Sequence, residues 1–241
     1  MTKPLLIALS FFCLSMTGSE KPNTSSTPLT VTAEKATSAF TVAPSTHTNE
    51  ALVLYDELGL AASGLSRDVY ALALKGMQRM AAARPLLSIV DMSQPSSKKR
   101  LYIIDLAKHK LLFNTYVAHG RNSGELLPTK FSNTNSSYQS SLGFYQTMGL
   151  YQGKHGLSMQ LKGLERGWND NAFSRAIVMH GADYVCEDFI KRTGRLGRSQ
   201  GCPAVSPTEC ASIVKTIAGG SCLFIYSPNE TYLKESTFLK G

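Results

Sequence analysis

Beyond Pro85 the chain breaks into short runs rich in Ile, Val, Leu, Phe and Tyr, each closed by a polar turn, and this punctuation constrains the fold more than anything else in the sequence. Leu86–Val90, Arg100–Leu106 and Lys110–Val117 have strand length and the residue types that suit a pleated surface. Leu142–Thr147, Leu157–Leu161, Arg175–His180 and Cys222–Tyr226 continue the pattern, while the Gly/Ser/Asn-rich stretch over 120–141 reads as long loops around a short strand. Helices are fewer. Residues 50–58 place Leu52, Tyr55 and Leu58 on one side and stop at Gly59. Ser66 can cap a second helix, in which Val69, Leu72, Ala73, Gly76, Met77 and Met80 recur at helical spacing until Arg84-Pro85. Tyr184–Thr193 stopped by Gly194 is a third, and Ser206-Pro207-Thr208-Glu209 reads as a capping box opening a fourth, with Cys210, Ile213, Val214 and Ile217 on one face. The expected class is mainly β (mixed α+β), with peripheral helices and a small helical N-terminal segment over 49–84.

The ends differ from the middle. Lys3 followed by the apolar Leu5–Met16 and the small residues Thr17-Gly18-Ser19 predicts an export signal over 1–19, too short to span a bilayer. Cys13 lies inside that apolar stretch behind Phe11 and Phe12, which argues against lipidation there. The Ser/Thr/Pro/Ala-rich residues 20–48 cannot bury enough surface to offset ordering entropy and predict a flexible linker. Residues 85–228 form the expected main domain and 229–241 a C-terminal tail. Nothing later is apolar enough for stable membrane insertion, so the expected location is exported, in the periplasm or cell envelope.

The net charge of +8 suits an anionic partner, but its basic residues are scattered and no aromatic-basic nucleic-acid signature accompanies them. No nucleic-acid partner is expected. Beyond the export segment stand Cys186, Cys202, Cys210 and Cys222, without CxxC spacing or a short His pair, so neither a metal nor a cofactor is expected. Cys210 and Cys222 are the plausible bridge if one forms; the alternative is that each is a small buried hydrophobe. Oligomeric state is not legible.

Two local patterns carry chemistry. Gly197-Arg-Ser-Gln-Gly-Cys202-Pro-Ala places a cysteine behind a small-residue turn, and Val178-Met-His180-Gly181 ends an apolar run on a histidine 22 residues earlier. That separation excludes one helix face but allows two neighbouring segments to bring the pair together. A thiolate is the reactive form of cysteine, and a nearby base can generate it. The N–H groups of Gly201, Cys202 and Gln200 can converge on an oxyanion, whereas Pro203 has none to give. Alternatively, Cys202 is a buried cysteine in a tight turn and His180 a satisfied structural histidine. Arg198 suits a substrate carboxylate equally as well as a solvated surface.

These motifs resemble the L,D-transpeptidase catalytic (YkuD-type) domains, whose pattern is His-Gly, a spacer, then Ser-x-Gly-Cys. Within them the chain is more similar to the murein L,D-transpeptidase catalytic domain-like branch, through Arg100-Leu-Tyr-Ile-Ile-Asp105, Val117-Ala-His119-Gly120, Ser140-Ser-Leu-Gly-Phe-Tyr145 and Gly153-Lys-His155-Gly156. The resemblance covers about residues 50–228. The better-known branch has histidine where Gln200 stands and often arginine where Pro203-Ala204 stand. The resemblance implies an L,D-transpeptidase-like β-sandwich and an exported cysteine acyltransferase acting on peptidoglycan stem peptides. Cys202 would be the nucleophile and His180 the base, oriented by the Gly181 carbonyl or by Asp183. Ser199 would hold the turn, His119 and His155 would line the cleft, and carbapenems would acylate the thiol. An L,D-carboxypeptidase using water, and a wall-binding module without turnover, are the rival readings.

Overall fold

The structure, a computed structural model, describes residues 53–240, so the expected export segment and linker lie outside the described residues. Eight strands follow one hydrogen-bonded order, β3-β2-β1-β8-β4-β5-β6-β7. They are β1 Leu86–Asp91, β2 Leu101–Asp105, β3 Lys110–Thr115, β4 Gly143–Gly153, β5 Gly156–Gly163, β6 Val178–Gly181, β7 Ala204–Val205 and β8 Cys222–Tyr226. The β1–β8 and β6–β7 pairs are parallel, and the remaining neighbours run antiparallel. The mainly β architecture expected from the runs after Pro85 is what the chain adopts.

The sheet centre explains why those runs are so apolar. Every residue of β1 and all but the last of β8 are buried, as happens to strands covered on both faces. Helix α1 (Arg67–Met77) packs against β1 and β8; α2 is Glu187–Thr193; and α3 (Pro207–Ile217) packs against β4, β5 and β6. Helix α1 carries Val69, Tyr70, Ala73, Gly76 and Met77 inward and is capped by the Ser66 hydroxyl, which accepts from the Val69 N–H at 3.2 Å. Such a cap contributes about 1 kcal/mol. Gly76 is where helix meets sheet: a Cβ there would stand 1.9 Å from the Phe144 ring, which stacks on Phe224 at 4.1 Å between centroids.

Three local expectations fail for identifiable reasons. The helix expected to run to Arg84 stops at Met77, and the chain turns through residues 78–84 to enter β1. The capping box at Ser206 does not form. The Glu209 carboxylate accepts from Thr115 Oγ1 at 2.5 Å, and the Ser206 hydroxyl pairs with Thr208 at 2.9 Å. The residues expected as a tail include a helix, α4 (Glu230–Glu235), capped by Asn229. It buries Tyr232, whose hydroxyl donates at 2.9 Å to the buried Glu165 carboxylate, while the Ser236 hydroxyl donates to the same group. Burial pushes the Glu165 carboxyl up from the ordinary carboxylate range. Among the described residues no helix is long and apolar enough to cross a membrane.

Candidate active site

Strand register brings the cysteine turn to the histidine. β6 lies between β5, through Met159↔Met179, and β7, through His180↔Ala204. Ala204 is two residues after Cys202, so the pairing that anchors β7 delivers the turn beside His180. Both residues line one cleft of about 590 Å³.

The turn is braced by its own side chains. Ser199 Oγ donates to the Cys202 carbonyl at 2.6 Å and accepts from the Gly201 N–H at 3.0 Å. The Ser199 backbone is held in turn, its N–H by the His119 carbonyl and its carbonyl by the Arg121 N–H. Gly201 has φ +120°, and a Cβ there would stand 2.7 Å from the Gln139 carbonyl oxygen, so both backbone shape and space call for glycine. Cys202 is partly exposed, and its thiol donates to the Ala176 carbonyl at a long 3.8 Å. Ala176 itself has φ +53°, an uncommon conformation for a residue with a side chain. After that kink the strand begins at Val178 rather than at Arg175, where the sequence placed its start.

His180 is buried, and its Nδ1 lies 2.9 Å from the Gly181 carbonyl oxygen. A carbonyl can only accept, so Nδ1 carries the proton and Nε2 keeps a free lone pair. Burial holds the imidazole pKa below its ordinary value, an effect the Nδ1–H bond to Gly181 opposes and His155 and Lys154 reinforce. Burial likewise pushes the Cys202 thiol up, opposed by the Val178 backbone N–H, by Arg175 and by Lys154. At neutral pH the resting pair is therefore a thiol and a neutral imidazole, suited to general-base activation during attack.

A model of the L,D-transpeptidase catalytic domain matches residues 61–226. The chain belongs to that family. L,D-transpeptidase catalytic domains are enzyme domains. The chain is similar in structure to an L,D-transpeptidase from Mycobacterium smegmatis, at 12% identity and TM-score 0.37, covering 60% of this chain and 59% of that one. Another similar structure is an L,D-transpeptidase from Stackebrandtia nassauensis, at 15% identity and TM-score 0.34, covering 73% and 76%. A third is the helical cell shape determining protein Pgp2 from Campylobacter jejuni, at 13% identity and TM-score 0.38, covering 59% and 47%. The chain spans about 59% of the first of these structures. No curated protein sequence matches it.

The remaining residues singled out in the sequence are sorted by this L,D-transpeptidase domain. Gln200, Ser199, Arg198 and His155 line the Cys202 cleft. Arg198 is also committed to Glu125 at 2.6 Å and to the Gly124 carbonyl at 3.1 Å. His155 lies at the β4–β5 hairpin tip, where Gly153 pairs with Gly156 and leaves a two-residue loop, Lys154-His155. His119 does not line the cleft. It is wholly buried, with Nδ1 2.8 Å from the Arg100 guanidinium and Nε2 3.2 Å from the Gly124 carbonyl, so both ring nitrogens are occupied. Arg100 has no acceptor role, so Nδ1 accepts and Nε2 donates. Asp183 faces a neighbouring cavity of about 520 Å³, not the Cys202 cleft. Cys186, Cys202, Cys210 and Cys222 are free thiols in this structure. No cluster of three or more potential metal ligands occurs among the described residues.

The structure adds Tyr138, Lys154, Arg175 and Tyr184 to the cleft. Arg175 had one sequence signal, a lone charge opening the apolar run that ends on His180.

Proposed function

We propose that the protein is a peptidoglycan L,D-transpeptidase working through a thioester on Cys202. Cys202 attacks the carbonyl at an L-to-D junction of a stem peptide. His180 Nε2 takes the thiol proton and passes it to the departing amine, which leaves as the terminal D-residue. An amine from a neighbouring stem then attacks the thioester, giving up a proton to His180 as the thiol is restored. The Cys202 N–H, with Gln200, meets the oxyanion in each tetrahedral step, the expected Gly201 N–H being already given to Ser199 Oγ. Ser199 keeps the turn in shape, Gly181 orients His180, and His155 and Arg198 contact the stem. The chemistry calls for no cofactor or metal.

The observation that carries this reading is the single cleft holding Cys202 and a His180 whose Nδ1 is already committed to the Gly181 carbonyl. The basic composition and the export signal expected at residues 1–19 support work in the cell envelope, on an anionic polymer. Incubation of the purified protein with a tetrapeptide muropeptide tests it. A cross-linked dimer supports the proposal, a tripeptide monomer replaces it with L,D-carboxypeptidase activity, and unchanged substrate with active-site thiol present removes it in favour of wall binding.

A further inference from the structure

Four cationic side chains line the Cys202 cleft, Arg121, Lys154, Arg175 and Arg198, and no carboxylate does. Arg198 already has Glu125 as a counter-ion, and Arg121 lies over the Tyr138 ring at 4.0 Å. Lys154 stands exposed at the hairpin tip. Arg175 is unlike all three. It is half-buried and spends its guanidinium on neutral acceptors alone. Nη1 donates to the Ser132 carbonyl at 2.7 Å and to Ser141 Oγ at 2.6 Å. Nη2 donates to Ser137 Oγ at 3.2 Å and to the Gln139 carbonyl at 2.8 Å. No carboxylate pairs with it among the described residues.

A fixed, partly desolvated cation without a counter-ion is unfavourable unless a negative charge arises beside it. The adjoining group is the nucleophile turn. Arg175 Nη2 lies 3.4 Å from where a Cβ on Gly201 would stand, and the Gln139 carbonyl it binds lies 2.7 Å from the same point. Arg175 and Cys202 line the same cleft, where burial pushes the thiol pKa up and the Arg175 charge is among the groups opposing that rise.

We infer that Arg175 is a positioning residue for the proposed chemistry, the built-in counter-ion of the Cys202 thiolate, which also clamps the loop over 132–141 beneath the nucleophile turn. This rests on the reading of Cys202 as the working thiol. When His180 Nε2 takes the proton, the S–H bond breaks, an N–H bond forms, and the electron pair stays on sulfur. The negative charge then faces a guanidinium whose orientation four hydrogen bonds have already set, so no solvent reorganisation is needed at that moment. The other titratable or charged groups lining this cleft are His180, His155, Tyr138, Tyr151, Tyr184, Lys154, Arg198 and Arg121.

The test is the pH dependence of Cys202 alkylation by iodoacetamide in the full chain, followed by peptide mass spectrometry. Arg175→Gln keeps hydrogen-bond donors for the loop and removes the charge; Arg175→Lys keeps the charge and loses most of the clamp. The Gln variant should move the alkylation midpoint up by ~1 pH unit, as expected on losing an opposite charge at close range. The Lys variant should stay near the parent. A parent-like midpoint in the Gln variant overturns the inference, as do equal shifts in both. Should the Gln variant fail to fold, Arg175→Met carries the same comparison. Because alkylation needs no peptidoglycan, a midpoint shift with no muropeptide turnover would sink the proposed substrate and leave the Arg175–Cys202 relation standing.

Discussion

The His155 and His180 rings stack, with centroids 4.5 Å apart and 26° between their planes. The contact joins the tip of a hairpin to the candidate base. β4 and β5 extend well past the core, with exposed residues at 149–152, and a register shift between Thr147 and Leu150 accompanies that extension. Irregularities of this kind bend and twist a strand pair. The two-residue loop then lays His155 across the outer face of His180, so the imidazole is held on one edge by Gly181 and on one face by the hairpin.

The two histidines should therefore separate kinetically. His180→Ala removes the lone pair that takes the thiol proton and should slow single-turnover acylation by a carbapenem ~10²–10⁴-fold. His155→Ala removes a packing surface and should slow it by less than about tenfold. Stopped-flow acylation of both variants decides this, and equal losses would make the hairpin contact as important as the base.

The electrostatics of the pair set a pH signature. Burial lifts the Cys202 thiol and lowers the His180 imidazole, so the neutral forms dominate at pH 7. A preformed thiolate–imidazolium pair would give iodoacetamide a reactive plateau in acid. Here no acid plateau should exist, and alkylation should climb toward a midpoint above that of an ordinary cysteine. Carbapenem acylation, which uses the base, should instead rise with pH through the His180 titration below pH 6.5. The Cys202→Ala protein should fold with an unchanged circular dichroism spectrum and form no carbapenem adduct by intact mass.

What the sequence disclosed follows the range of the forces involved. Strands β1, β2 and β8 were legible because burial on both faces demands continuous apolar runs, and helix α1 because its cap and stripe are local. Of the long β4–β5 hairpin only the inner parts, Leu142–Thr147 and Leu157–Leu161, were legible, since the exposed ladder beyond them has no apolar periodicity. Cys202 and His180 stood out through their glycine neighbours, yet their shared cleft depends on β6–β7 register. His119 was misplaced because a histidine before a glycine looks alike on a cleft wall and in a core. Only the depth of Arg100, recruited as its partner, distinguishes the two cases.

That buried pair predicts an acid-sensitive fold. Burial first, and then the Arg100 charge, pull the His119 imidazole down to about 4. A histidine with a depressed folded pKa contributes stability that is fully present above its unfolded value near 6.5 and is lost as pH falls toward the folded value. The loss between pH 6.5 and 4 should be on the order of 3 kcal/mol. Urea unfolding at pH 7 and pH 4.5 measures it against His119→Gln, whose amide can still accept from Arg100 and donate to Gly124. The variant should lose markedly less stability over that interval, and an identical loss would place the acid sensitivity elsewhere.

Gly201 and Gly194 offer a matched pair for separating backbone shape from space at the nucleophile turn. Both have positive φ, +120° and +76°, but a Cβ on Gly194 would meet nothing within 4 Å. Gly194→Ala should therefore incur only the left-handed penalty, about 1 kcal/mol of unfolding free energy, with carbapenem acylation near the parent rate. At Gly201 the added methyl collides with the Gln139 carbonyl, and behind it stand Ile177 and Arg175, so the turn itself must move. The N–H groups proposed to meet the oxyanion move with it, and losing one such donor slows acyl transfer ~10²–10³-fold. Gly201→Ala should thus fall at least that far in acylation rate while still unfolding cooperatively. If both variants acylate alike, the close approach of Gln139 to Gly201 does not shape the site.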